Sequence, residues 1–193
     1  MLLTYRNFLV KERVAVLKLT DAYDIFDPET GDQIGIAVDK PSTWATIARM
    51  FVSKRFLPTR IEIIQDESQG PVMTLVKNPG FLRVEVALLD SEGNLFGSFR
   101  SKLFKLGGGF VVHDPEGAIT AEVNGDWKGW NFSIVSESGR RIGEVTKKWA
   151  GIGKEFFTSA DSYVISVGES EKPESVALVL AAGLAVDTVF KEY

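Results

Sequence analysis

Near the C-terminus the chain reads VALVLAAGLAV from Val176 to Val186, eleven apolar residues without interruption, followed by Asp187 and Lys191. The composition of the run is helical, and such a helix has no polar face. A helix that is apolar all round has to be enclosed, by protein or by lipid. A membrane span requires roughly 20 predominantly apolar residues, whereas a run of about 10–14 suits a buried core helix. The sequence therefore predicts a core helix that carries Val176, Leu178, Leu180, Leu184 and Asp187. The rest of the chain must build a wall around it.

That wall is legible as a repeat. Gly31-Asp-Gln-Ile-Gly35, Gly93-Asn-Leu-Phe-Gly97 and Gly139-Arg-Arg-Ile-Gly143 share one pattern, and each follows an apolar stretch and a polar turn cluster. IEIIQDESQGPVMT and GFVVHDPEGAIT are looser copies. The unit is strand, acidic turn ending in glycine, strand. Asp and Ser bond their own backbone in such turns, and glycine supplies the positive φ. The second glycine of the strict copies predicts a bulge or a close backbone approach in a curved sheet. Leu82, Val84, Val86 and Leu88 alternate with Arg83 and Glu85, as a half-buried strand requires. Twelve strands are predicted, near 3–9, 22–26, 33–38, 60–65, 72–77, 82–89, 95–104, 109–113, 118–123, 129–135, 140–149 and 161–167.

One interval departs from the rhythm. Across residues 41–57, Trp44, Ile47, Ala48, Phe51 and Val52 recur at helical spacing, between Pro41 and Pro58. This predicts one surface amphipathic helix. A curved twelve-stranded meander leaves exposed edges unless it closes. Once closed, its interior is too wide for strand side chains alone to fill. The expected fold is mainly β: a closed antiparallel barrel around the hydrophobic C-terminal helix, as a single domain over 1–193.

Composition excludes several function classes. The net charge of −4 argues against general nucleic-acid binding. The absence of cysteine removes disulfides, thiolate catalysis and Cys-ligated metal, and suits a reducing, cytoplasmic compartment. The N-terminal MLLTYRNFLVKER lacks the order of a signal peptide. His113 is the only histidine and sits beside a turn. Neither G-x-S-x-G nor H-E-x-x-H occurs, and LGGGF at 106–110 lacks the G-K-[ST] of a phosphate loop. No enzymatic chemistry is predicted.

The run KKWAGIGKEFFTSADSYVISV, the later ALVLAAGLAVDTVFKE and the segment GDWKGWNF resemble the phospholipid scramblase family. The chain is similar to a compact form of that family within the wider tubby C-terminal-like group, which includes the LURP-one-related proteins. The resemblance implies a twelve-stranded barrel around a C-terminal helix. It also implies roles at membranes: calcium-dependent lipid movement, phosphoinositide binding or membrane-tethered signalling. The family's proposed calcium segment has acids at its first, third and twelfth positions. Here those positions hold Ser159, Asp161 and Ser170, with Glu169 and Glu171 nearby. Calcium takes six to eight oxygen ligands, several of them carboxylates, so its binding is disfavoured.

From Lys40 to Arg60 the chain carries five basic residues, Lys40, Arg49, Lys54, Arg55 and Arg60, and no acid. With Trp44, they make this stretch the candidate contact for anionic phospholipid headgroups at an inner membrane face. The apolar stripe either packs on the barrel or meets lipid. A soluble module that binds a protein partner is the alternative function. Asp187 is read as a hydrogen-bonded structural carboxylate or as a headgroup or ion contact. Trp127, Trp130 and Trp149 are read as packing residues or as interface indoles.

Overall fold

The computed structural model describes residues 1–13, 20–52, 56–66, 68–79, 83–102, 109–126, 129–147 and 162–190. The strands are β1 (Asn7–Glu12), β2 (Ala22–Phe26), β3 (Gln33–Asp39), β4 (Thr59–Ile64), β5 (Pro71–Asn78) and β6 (Glu85–Leu89). They continue as β7 (Leu95–Ser101), β8 (Gly109–His113), β9 (Ile119–Asp126), β10 (Asn131–Ser136), β11 (Arg141–Thr146) and β12 (Ser162–Val167). Helix α1 (Thr43–Ala48) lies between β3 and β4, and helix α2 (Pro173–Phe190) follows β12. Each strand pairs antiparallel with its sequence neighbour, and β1 pairs with β12, from Asn7 opposite Ser166 to Lys11 opposite Ser162. The sheet is thus a closed barrel with no free edge.

Five tight hairpins share one construction. A leading Asp or Ser accepts backbone amides: Asp27 from Glu29, Asp66 from Ser68, Asp90 from Glu92 and Asn94, Asp114 from Ala118, and Ser136 from Arg140. A glycine with φ near +80° to +90° completes the turn, at Gly31, Gly70, Gly93, Gly117 and Gly139. The register then slips by one residue in the returning strand of every hairpin. In the three strict copies the residue after the slip is the second glycine, paired as Ile25↔Gly35, Leu88↔Gly97 and Ile134↔Gly143. A Cβ on Gly35 or Gly97 would lie 3.1 or 3.0 Å from a carbonyl of the next strand. Bulge and close approach therefore occur together.

Because the strands alternate in direction, all five hairpins lie at one end of the barrel. The remaining connections, including the one that holds α1, lie at the other. Helix α2 enters at the hairpin end and runs through the barrel. Val176, Leu180, Leu184 and Val186 are fully buried; Leu178 is half-buried and packs against the same core. The helix presses on β11 and β12, where small residues admit it. A Cβ on Gly183 would stand 2.3 Å from Ile165 Cδ1, and one on Gly143 would stand 2.5 Å from Val179 Cγ1. The rest of the lumen is filled by large side chains such as Ile63, Leu75, Leu88, Phe99 and Phe110.

Two expectations need correction. The first strand begins at Asn7, because Leu2–Thr4 form a 3-10 turn instead. Leu2 is fully buried against Gly35, and its N–H donates to Gln65 Oε1 at 2.6 Å, so the N-terminus plugs the hairpin end. The surface helix predicted over 41–57 spans only Thr43–Ala48. Among the described residues, no helix is long and apolar enough to cross a membrane.

Candidate functional site

The connection between β3 and β4 is closed at its base by the Lys40 N–H, which donates to the Arg60 carbonyl at 2.7 Å. Within it the helical phase is as the sequence predicts, but the apolar stripe faces the opposite way from a packed helix. Ala45 and Arg49, one turn apart, point into the barrel wall and are buried. Trp44, Ile47 and Phe51 lie on the other side and are 59%, 58% and 83% exposed. Met50, Val52 and Phe56 are exposed as well. Of the nine large hydrophobics exposed among the described residues, six fall in this one connection. A contiguous apolar surface of this kind marks an interaction site, whereas scattered single residues do not.

Arg49 departs from its expected place on a basic rim. Its side chain is almost wholly buried and donates from Nη1 to Asp39 Oδ2, which is buried too. Asp39 follows Gly35 and Ala37 on the inward face of β3, so the pair roots the connection in the barrel. Lys40 and Arg60 are exposed and converge on Glu62, at 2.6 and 3.2 Å. The hydrogen bond from Lys40, reinforced by Arg60, holds the Glu62 carboxyl below its ordinary range. Lys54 and Arg55 lie outside the described residues. Met50 and Phe56 were not singled out by the helical pattern, and no periodic signal would have found them.

At the same end, Asp187 is buried inside the mouth of the barrel and hydrogen-bonds Tyr23. Burial, with the nearby Asp187 charge, holds the Tyr23 and Tyr163 phenols well above their ordinary range, so both are neutral at physiological pH, and the Tyr23 hydroxyl donates to Asp187. Trp130 stacks on Tyr163 with ring centroids 5.2 Å apart, and Lys147 Nζ lies 4.5 Å from the Trp130 ring centre. Trp130 thus packs against the core; Trp127 and Trp149 lie outside the described residues. Thr59 and Lys77 are also buried here and line a small space with Ala185 and Thr188.

The hairpin end has a different character. Glu29, Asp32, Asp66, Glu92, Glu116, Glu137, Glu169 and Glu174 are all exposed there. Hydrogen bonds from Ser68 and from Asn94 hold the Asp66 and Asp90 carboxyls below their ordinary range. Arg140 donates to the buried Glu171 carboxylate, lowering its pKa, and Arg6 Nη2 donates to the Glu171 carbonyl at 3.1 Å. Glu171 is therefore engaged by arginine, Glu169 is exposed, and Asp161 lies outside the described residues. Among those residues no cluster of three or more His, Asp or Glu could hold a metal ion. A cleft of about 470 Å³ opens beside the start of α2, between Leu3, Val72, Leu89, Phe96, Pro173 and Ala177.

The sequence profile of the scramblase family matches residues 4–193. The chain belongs to the scramblase family. The closed twelve-stranded barrel around α2 is thus the framework on which this scramblase-family chain carries its exposed apolar connection, and family membership supports a lipid-associated role. Comparison with curated proteins and with solved structures gave no match.

Proposed function

We propose that this scramblase-family chain is a peripheral, non-enzymatic, phospholipid-associated protein that meets the inner face of an anionic membrane through the β3–β4 connection. The observation that carries the reading is the concentration of exposed Trp44, Ile47, Met50 and Phe51 on a rooted segment that has no acid between Lys40 and Arg60. An amphipathic segment with aromatic side chains beside basic ones binds the boundary between headgroups and acyl chains. Lys54 and Arg55, with the single net positive charge that Lys40 and Arg60 keep over their shared Glu62, supply the attraction to anionic headgroups, which salt screens. Calcium is not needed for this contact.

Co-sedimentation of the full chain with vesicles tests the reading. Binding should require phosphatidylserine, weaken at high salt and on the Lys54→Gln/Arg55→Gln substitution, and change little when calcium is added. Failure to pellet with vesicles of any composition contradicts it. It would favour the alternative, a LURP-one-like module in which the same apolar surface meets a protein partner.

A further inference from the structure

The two ends of the barrel differ in chemistry, and the difference prescribes an orientation. We infer that the barrel docks end-on: the apolar tip of the β3–β4 connection passes below the headgroups into the acyl region, and the hairpin end faces away from the bilayer. This rests on the lipid-association reading above and extends it from affinity to geometry.

The tip is built to project. Ala45, Arg49 and Leu57 are buried at its root, and the Arg49–Asp39 pair and the Lys40–Arg60 backbone bond hold the stem. The side chains at 44, 47, 50 and 51 consequently face outward together and need no rearrangement to meet an apolar phase. Their exposure in water is unfavourable, and transfer to hydrocarbon relieves it roughly in proportion to area. The opposite end could not take this place. Four of its five turns carry an exposed or half-exposed Asp whose position is fixed by the turn itself, and the fifth carries the exposed Glu137. An anionic surface repels that end and attracts the basic segment at the other, so charge and hydrophobicity select the same pose. Helix α2 takes no part in the contact, because its apolar surface is already buried inside the barrel.

The absence of cysteine makes the pose directly measurable. Phe51→Cys, Met50→Cys and Glu92→Cys, each labelled with an environment-sensitive fluorophore, report on the tip and on a hairpin turn of the full chain. On mixed phosphatidylcholine–phosphatidylserine vesicles, probes at 50 and 51 should shift to the blue and be quenched by nitroxides on the acyl chains; a probe at 92 should do neither. The Trp44→Ser/Phe51→Ser variant should lose roughly tenfold or more in vesicle affinity and keep its melting temperature. Binding without a spectral change at 50 and 51, or with quenching at 92, overturns the pose and leaves lipid association standing. Absence of binding by the unlabelled wild type removes both. A dimer in sedimentation velocity that Phe51→Ser converts to monomer would assign the tip to a second copy of the chain and overturn the inference.

Discussion

The chain contains two conspicuous apolar segments that meet opposite fates. Helix α2 has no polar face, and its residues from Val179 to Val186 are enclosed by the barrel. The segment around α1 has an amphipathic pattern that reads as packing, yet its apolar side is the most exposed hydrophobic surface among the described residues. What separates them is space. A closed barrel of this size has an interior to fill, and α2 fills it. The mouth of the barrel offers α1 only a socket for Ala45 and the Arg49–Asp39 pair. Hydrophobicity alone thus does not decide which apolar segment is enclosed in this fold; the space available to it and the residue that roots it do.

The comparison can be broken most forcefully at that root. Arg49→Ala leaves the Asp39 carboxylate buried without its charge partner, and should cost about 3–5 kcal/mol. Chemical denaturation measures it, and a loss under about 1 kcal/mol, the value of an exposed pair, would show that the root is not what holds the tip. The two apolar segments can then be set against each other directly. Leu184→Ala in α2 should lose about 2–5 kcal/mol through cavity formation. Phe51→Ser at the tip should stay within about 0.5 kcal/mol. Similar losses at the two positions would mean that the tip is part of the fold.

Asp187 sharpens the comparison at the mouth of the barrel. Asp187→Ala removes the carboxylate that bonds Tyr23 in a buried setting. It should lower the melting temperature, at a cost of about 1–3 kcal/mol. An unchanged melt with altered vesicle binding would move Asp187 from the core to the contact. The smallest effect lies at the far end. The Glu171 carboxyl is held below the ordinary glutamate value of 4.5 by Arg140. Its contribution is present above that value and is lost as pH falls through the lower folded one. Glu171→Gln should flatten this part of the acid limb and cost under about 1 kcal/mol at neutral pH, since Arg140 is half exposed. An acid limb unchanged by the substitution would contradict this.

The strands and turns were readable because their determinants are local. An Asp or Ser that captures its own backbone, followed by a glycine at positive φ, specifies a hairpin wherever it occurs. The second glycine announced the bulge for the same reason. Enclosure of α2 followed from length and from the need to fill a closed sheet. The direction of α1 was not readable, because helical phase places Trp44 and Ala45 about 100° apart without saying which side meets the barrel. The clue lay outside the helix, in the Gly35, Ala37, Asp39 alternation that points a carboxylate inward to receive Arg49. The 3-10 turn that takes Leu3 and Thr4 out of the predicted first strand was not readable, because it is anchored by Leu2, which meets Gln65 and Gly35, both far away in sequence.

Hydrogen exchange of the unmodified chain, with and without anionic vesicles, tests most directly the claim that the β3–β4 tip meets the membrane and the C-terminal helix does not. The account predicts that amides across residues 43–52 gain protection on vesicle binding while those of 173–190 stay slow and unchanged. Faster exchange or a vesicle-dependent change in 173–190, with none in 43–52, would contradict it.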